Sequence, residues 1–295
     1  MRRDLAVKTA MLRMRGPLGR LARHPGVSLA LIAWWLGVLW VAAIAPLNSP
    51  DEPAHLLTVM QVRVAHILPE VHYDFSQDPA GQIVNTPVDQ ATIAYGLSLG
   101  HGDNPIKLMP YESIQPPLYY LAAALASLAL PPTPEAVLYA SRLVAALFGA
   151  GAVYFCWAAT RQLAPRAPRW AVGVAGVVAL LPQFCFNSAS ASNDSALNCL
   201  AAAAFYVWFR GLRHPAYDPS MLRAGAVVGL AILAKSSALV LVPGLALVWL
   251  FRSWNGPHGP TVRAAALNRA ARLAAGAAGA TLAVCGWWFL RNLLI

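Results

Sequence analysis

Residues 27–47 read VSLALIAWWLGVLWVAAIAPL, a run of 21 residues without a single charged side chain. An α-helix rises 1.5 Å per residue, so this run is long enough to cross the roughly 30 Å hydrocarbon core of a bilayer. It is longer than the apolar core of a signal peptide and has no obvious small-residue cleavage site. We therefore interpret it as a retained membrane anchor, which favours a membrane protein.

The composition of the whole chain supports the same class. Hydrophobic residues make up 58% of the 295 residues, and charged residues only 12%, whereas soluble domains have about 25% charged residues. The four cysteines lie in or beside apolar runs and show no CxxC spacing, which indicates helix packing rather than zinc binding or disulfides. The sequence predicts an all-α, polytopic fold with further apolar runs at 137–160, 171–190, 195–209, 222–251 and 273–290.

The distribution of charge gives an orientation. Residues 1–26 carry seven basic side chains and one acid, Asp4, and cytoplasmic segments of membrane proteins are rich in Lys and Arg. The N-terminal segment is therefore expected in the cytoplasm, and the loop 48–136 outside. Residues 48–116 of this loop hold eight of the chain's twelve acids. The net charge of +10 is explained by cytoplasmic loops rather than by a nucleic-acid partner.

About seven transmembrane helices follow if the basic loops near Arg161, Arg210 and Arg252 are all cytoplasmic. The stretch 222–251 must then cross the membrane twice. The apolar stretch 117–131 has only 15 residues, so we expect it to lie in the outer interface as part of the external loop. A short true span is the alternative. The chain stops just after a helix end and reads like one that has been cut short.

Once the cytoplasmic charges are set aside, ionisable residues remain near the predicted outer face. Carboxylates there could act as a general base or hold a metal, and cations could hold phosphate. The alternative for each cation is that it reaches up to the lipid headgroups or forms an ion pair. The acids Asp51 and Glu52 could also favour the N-terminus of a helix.

Five short polar motifs interrupt or flank the apolar runs in a defined order. They are NSPDEPAH (48–55), QPPLYY (115–120), SNDSA (192–196), LAKSS (233–237) and GWWFLRN (286–292). Together they resemble the C-type glycosyltransferase superfamily (GT-C), which includes protein O-mannosyltransferases and the aminoarabinose transferases of lipid A. The form found here is most similar to a bacterial family of predicted membrane proteins without settled function. The resemblance implies a transmembrane module over 27–295.

The resemblance also implies roles for individual residues. Asp51 would be the catalytic base and Glu52 its neighbour in acceptor or metal contacts, with Asp194 as a second acidic site. The expected donor-phosphate contacts are Arg142, Lys235 and Arg291. Further candidates for substrate binding within the motifs are His55, Gln115, Tyr119 and Asn193.

The metal requirement stays open in this comparison. Gln115 stands where many relatives have His, and His55 comes four residues after Asp51 rather than three as in the mannosyltransferases. If a divalent metal ion binds, Asp51, Glu52 and Asp194 are its expected ligands.

The resulting hypothesis is a glycosyltransferase of the bacterial inner membrane, active on its periplasmic face. It would transfer a sugar from a polyprenyl-phosphate donor to a glycan, lipid or protein acceptor, with inversion at the anomeric carbon. The rival classes are a transporter or lipid flippase, which would place its site near the bilayer midplane, and a non-catalytic subunit for envelope assembly.

Overall fold

The computed structural model describes residues 24–66, 68, 87–100, 111–214, 219–254 and 260–294, and all regular structure within these residues is helical. The helices are α1 (Pro25–Ala43), α2 (Glu52–Met60), α3 (Pro87–Ser98), α4 (Leu118–Ala126), α5 (Pro134–Leu163), α6 (Pro168–Leu180), α7 (Pro182–Ala189), α8 (Asp194–Arg213), α9 (Pro219–Ala234), α10 (Leu241–Trp254) and α11 (Pro260–Leu294). Shorter turns are a π-helical turn at Gln61–Ala65 and 3₁₀ turns at Tyr111–Ile114, Ser127–Ala129 and Ser236–Val240. The all-α prediction is confirmed for the described residues.

Prolines set the starts of several helices. α1, α5, α6 and α7 each have a proline in the first turn, where the missing N–H costs nothing and the fixed φ suits a helix. The longest of these, α5, also has a side-chain cap, because Thr133 Oγ1 accepts a hydrogen bond from the Ala136 N–H.

The central helix of the fold is α5, which packs against α1, α8, α6 and α7. A second group forms where α9 packs on α11 and α8. Small residues allow the helices to approach closely. Gly225 in α9 faces the Ala277 carbonyl of α11, where a side chain would collide with the backbone. Thr281 Oγ1 donates to the Gly225 carbonyl at 2.9 Å and ties the same two helices together.

Within the described residues, three helical segments are long and apolar enough to cross a membrane: Pro25–Ala43, Pro134–Leu163 and Ala270–Leu294. The pair α6 and α7 could form a fourth span, bent by 62° at Pro182. The other spans of the seven-helix interpretation fall on helices that are shorter or less apolar than these, so the count of seven stays a prediction. Large apolar side chains such as Trp35, Leu39 and Leu147 lie exposed on the spans, as expected for contact with lipid.

Two parts of the predicted topology have a clear counterpart in the structure. The stretch 222–251 is broken at Lys235, which lies between the end of α9 and the 3₁₀ turn that leads into α10. Within 117–131, α4 has nine residues, or about 14 Å of helix, which is less than half of the hydrocarbon core. Its placement at the interface stays a prediction. Most of the basic segment 1–26 and much of the external loop, at 67, 69–86 and 101–110, lie outside the described residues.

Candidate active site

A fully buried ion pair joins Glu52, the first residue of α2, to Arg142 of α5. Arg142 donates from Nε to Glu52 Oε1 at 2.8 Å and from Nη2 to Glu52 Oε2 at 2.7 Å. Both side chains are completely excluded from solvent. Arginine and carboxylate match in this two-pronged geometry, which fixes orientation as well as distance.

The same pair holds the end of α1 and the loop before α8. Arg142 Nη1 donates to the carbonyls of Val41 and Ile44 at 3.2 and 2.7 Å, and Nη2 donates to Ala45 at 2.9 Å. Glu52 Oε1 also accepts a hydrogen bond from the Ala191 N–H at 2.9 Å. Four separate segments therefore meet at one buried pair.

These contacts bear on the roles expected for Arg142 and Glu52 from the sequence. An arginine has five N–H groups, and all five of Arg142 are directed to Glu52 or to backbone carbonyls. The structure therefore does not support Arg142 as a ligand of a donor phosphate. Glu52 is likewise committed to Arg142 and to a backbone N–H, which argues against a direct contact with an acceptor or a metal.

Asp51, the residue before Glu52, lies at the surface of the site. Its side chain is exposed and makes no capping hydrogen bond to α2. Its backbone is left-handed, with φ 60°, as is that of Leu47 earlier in the same turn. Such conformations cost roughly 1–3 kcal/mol in residues other than glycine, and they persist only where the surroundings impose them. The buried Glu52–Arg142 pair, with a 2.9 Å hydrogen bond between the Ser49 and Ser190 hydroxyls, supplies those surroundings.

A second ion pair, between Asp194 and Lys235, lies closer to solvent. The distance from Lys235 Nζ to Asp194 Oδ1 is 2.6 Å, and the two side chains are 22% and 48% exposed, respectively. Lys235 occupies the break after α9, in extended conformation. Next to it, the Ser236 N–H donates to Gln115 Oε1 at 3.4 Å. The motif around Gln115 is thus brought to the break at Lys235.

His55, Tyr120 and Glu112 form a buried polar group beside these pairs. The Tyr120 hydroxyl donates to the Glu112 carbonyl at 3.3 Å, which leaves its oxygen to accept from His55 Nδ1, 3.0 Å away. Glu112 Oε2 lies 4.0 Å from the same His55 nitrogen.

The pKa values of this group connect it electrostatically to the rest of the site. Burial lowers the pKa of His55 from 6.5 to about 4; the positive charge of Lys235 adds to the effect, while Asp51 and Asp194 oppose it. Burial raises the pKa of Glu112. Lys235 opposes this effect, and Asp51 and Asp194 add to it. The charges of Asp51, Asp194 and Lys235 all act on His55 and Glu112, which supports treating these five residues as one candidate site.

The low pKa of His55 predicts a pH dependence of stability. Between pH 6.5 and about 4 the unfolded chain binds a proton at His55 that the folded chain excludes, so stability is lost as the pH falls through this range. The loss amounts to about 3 kcal/mol at most. Thermal unfolding in detergent should show a smaller decrease across this range in His55→Asn than in the native protein.

The exposed histidine His66 provides the control. His66 has a left-handed backbone, which asparagine tolerates well, so His66→Asn should keep the native pH profile. Parallel pH profiles for His55→Asn and the native protein would contradict a buried, neutral His55.

The remaining residues predicted from the motifs occupy different surroundings. Tyr119 is fully buried and its hydroxyl donates to the Ser141 carbonyl at 3.0 Å, which indicates a packing contact. Asn193 is also fully buried, next to Asp194, and its amide oxygen and nitrogen have no hydrogen-bond partner among the described residues. Arg291 lies over the Trp288 ring at 5.1 Å and donates to Asn292, both in its own helix.

A metal centre does not emerge from the part of the chain that the structure describes. No three His, Cys, Asp or Glu side chains come together there in an arrangement suited to a metal ion. Of the three ligands expected from the resemblance, Glu52 is occupied by Arg142 and Asp194 by Lys235.

Two features of the site were not predicted from the sequence. The partnership of Glu52 with Arg142 joins residues 90 positions apart, and no local pattern indicates it. Glu112 was not chosen as a site residue, although it lies three residues before Gln115 in the same segment. Its position just before the motif at 115–120, which leads into an apolar helix, could have indicated it as a site residue.

Comparison with known proteins gives one finding. A family model described as dolichyl-phosphate-mannose-protein mannosyltransferase matches residues 115–283, which include Arg142, Asp194 and Lys235. No curated protein and no solved structure matches the chain. The matched range covers more than half of the sequence. The chain therefore belongs to this mannosyltransferase family, and so to the C-type membrane glycosyltransferases.

Proposed function

We propose that the protein transfers a sugar from a polyprenyl-phosphate carrier to an acceptor hydroxyl of a glycan, lipid or protein, with Asp51 as the general base. The observation that carries this proposal is the contrast between the two adjacent carboxylates. Glu52 is buried and held by Arg142, whereas Asp51 is exposed, and its charge acts on His55 and Glu112 as the charges of Asp194 and Lys235 do. One carboxylate is thus anchored so that the other is presented to a substrate.

The proposed step is a direct displacement. The Asp51 carboxylate accepts the proton of the acceptor hydroxyl while the hydroxyl oxygen bonds to the anomeric carbon. The bond from that carbon to the phosphate oxygen breaks, and the polyprenyl phosphate leaves with the electron pair. Attack from the face opposite the leaving group inverts the anomeric centre. A positioned base of this kind contributes about 10²- to 10⁴-fold to the rate.

The positive charge for the leaving phosphate is assigned to Lys235. It lies in the same electrostatic neighbourhood as Asp51, since both charges act on His55 and Glu112. Its present partner Asp194 is half exposed, so a phosphate could share Lys235 without leaving a buried carboxylate unpaired. Arg291, in the last turn of α11, is a second candidate.

A cavity of about 680 Å³ among α9, the Ser236–Val240 turn, α10 and α11 supports the proposal that the donor carries a lipid chain. Ile232 and Leu239, which line it, lie on either side of Lys235 in the chain, and Cys285, Leu282 and Phe289 of α11 continue the wall. The lining is almost entirely apolar. A polyprenyl chain in this cavity would bring its phosphate towards Lys235.

The active face is proposed to be the periplasmic side of the bacterial inner membrane, with the N-terminus in the cytoplasm. Asp51 follows the C-terminal end of α1, and the basic segment 1–26 precedes or begins the same helix. The segment rich in Lys and Arg is expected on the cytoplasmic side, which leaves Asp51 on the other.

The direct test is product identification by mass spectrometry. The purified chain, reconstituted in lipid vesicles, is incubated with a panel of polyprenyl-phosphate sugars and with glycan, lipid and peptide acceptors. The proposal expects a covalent sugar–acceptor product and release of polyprenyl phosphate from at least one donor. Movement of the donor across the vesicle membrane without any product would overturn it and favour a transporter. Absence of both product and movement would favour a non-catalytic subunit.

A further inference from the structure

Glu112 has an unusual environment for a carboxylate. Its side chain is only 13% exposed, and Oε2 is buried with no hydrogen-bond partner among the described residues. Leaving a buried polar atom without a partner costs roughly 1–3 kcal/mol, and more when the group is charged. Such atoms are few in folded proteins, and each calls for an explanation.

His55 does not provide the missing partner. Its Nδ1 is 4.0 Å from Glu112 Oε2, beyond hydrogen-bond distance, and is engaged with the Tyr120 hydroxyl at 3.0 Å. Burial also keeps His55 neutral at ordinary pH, so the two residues do not form an ion pair. Lys235, the nearby cation, is bonded to Asp194.

The backbone around Glu112 is nevertheless well fixed. Its carbonyl accepts hydrogen bonds from the Tyr120 hydroxyl and from the Gln115 N–H, at 3.3 and 3.0 Å. Gln115 in turn is bonded to the backbone next to Lys235. The carboxyl group is therefore held in place by its surroundings, while one of its oxygens is left without a partner.

We propose that Glu112 is a further substrate-binding residue, whose unpartnered Oε2 accepts a hydrogen bond from a hydroxyl of the donor's sugar ring. The proposal rests on the proposed function and specifies one contact in its site. Glu112 is linked through Gln115 to the backbone next to Lys235, so a sugar whose phosphate lies at Lys235 is brought close to Glu112. A sugar ring carries several hydroxyl donors, which is what a buried acceptor requires.

A hydroxyl, rather than a cationic amine, is the chemistry that this position favours. Burial raises the pKa of Glu112, Lys235 opposes this effect, and the carboxylates Asp51 and Asp194 add to it. A hydrogen bond to a neutral hydroxyl needs an acceptor oxygen and not a full charge. Glutamine, which keeps an acceptor oxygen at the same distance from the backbone, should therefore replace Glu112 better than alanine does.

The test uses the donor that gives product in the mass spectrometric panel. Glu112→Ala is expected to lower kcat/KM by about 10- to 100-fold, the range for a lost hydrogen bond to a charged or partly charged acceptor. Glu112→Gln should stay within about fivefold of the native enzyme, since the acceptor oxygen remains. Glu135→Ala, which removes an exposed carboxylate at the start of α5, should leave kcat/KM unchanged.

Donors that lack one ring hydroxyl at a time distinguish binding from a structural role. In the native enzyme one of these deoxy donors should lose activity by a factor similar to that of Glu112→Ala. In Glu112→Ala, the same deoxy donor should be used nearly as well as the full donor, because both changes remove the same interaction. A structural role would lower the activity of every donor equally.

The outcomes separate this inference from the proposed function. Absence of product from the native enzyme with every donor would overturn the proposed function, and the contact with it. Normal kcat/KM in Glu112→Ala, with native turnover intact, would overturn the contact alone. So would equal losses in Glu112→Gln and Glu112→Ala, or equal deoxy-donor effects in the native enzyme and Glu112→Ala.

Discussion

Asp51→Asn is expected to reduce sugar transfer by about 10²- to 10⁴-fold while the protein remains folded. Asparagine has nearly the same shape as aspartate and tolerates the left-handed backbone of this position. It cannot accept a proton from the acceptor hydroxyl. The loss should fall mainly on kcat, because the substrate still binds beside an amide of the same size. Initial rates of product formation, measured by mass spectrometry with saturating donor, give the comparison.

Stability must be measured on the same preparations. Asp51 is exposed and lies outside the buried ion pair, so the midpoint of thermal unfolding in Asp51→Asn should be close to that of the native protein. Glu135→Gln is the matched control, since it neutralises another exposed carboxylate next to a proline at a helix start. More than about a tenth of native activity in Asp51→Asn would rule out Asp51 as the base, because even the low end of the expected range is a hundredfold.

Breaking the Glu52–Arg142 pair is expected to have the largest effect on folding. Glu52→Leu leaves a guanidinium buried without its counter-ion, and Arg142→Met leaves a buried carboxylate. Removal of one partner from a buried pair costs about 3–5 kcal/mol, a large part of the 5–15 kcal/mol that holds a typical protein folded. Each single variant should therefore unfold at a much lower temperature in detergent, or be recovered in low yield.

The double variant Glu52→Leu/Arg142→Met distinguishes the cost of an unpaired buried charge from the loss of the hydrogen bonds that hold the turn with Asp51. It removes both charges, so it should be less destabilised than the sum of the two single variants. The carbonyls of Val41, Ile44 and Ala45 would still lack their donor, so Asp51 should be poorly held and activity should stay low. Additive effects on the unfolding temperature, or full activity in the double variant, would contradict the anchoring role.

A comparison with the second ion pair shows why burial decides the size of these effects. Asp194 and Lys235 are partly exposed, and such pairs contribute roughly 0–1 kcal/mol. Asp194→Asn should therefore change stability little.

Local pattern was enough to predict some elements of the fold. The uncharged run at 27–47 and the apolar run at 137–160 correspond to α1 and α5, because length and hydropathy alone determine what can cross a bilayer. The division of 222–251 into two helices followed from the need to balance basic loops, and the break falls at Lys235.

Other features depend on packing between distant segments. A run at 171–187 that looks continuous is bent by 62° at Pro182, since proline removes a backbone hydrogen bond and crowds the preceding turn. Arg142 was expected to bind phosphate because it is a cation near the predicted outer end of a helix. Its true partner is 90 residues earlier, and only the fold brings the two together.

That separation along the chain has a consequence for biosynthesis. Ribosomes add about 5–20 residues per second, so Glu52 emerges about 5–20 seconds before Arg142, 90 residues later. During that interval the Glu52 carboxylate has no counter-ion and must remain hydrated. The carbonyls at the end of α1 also lack the hydrogen bonds that Arg142 later donates. The turn that carries Asp51 therefore cannot take its final shape until Arg142 has been made, and packing of α5 against α1 completes the proposed active site.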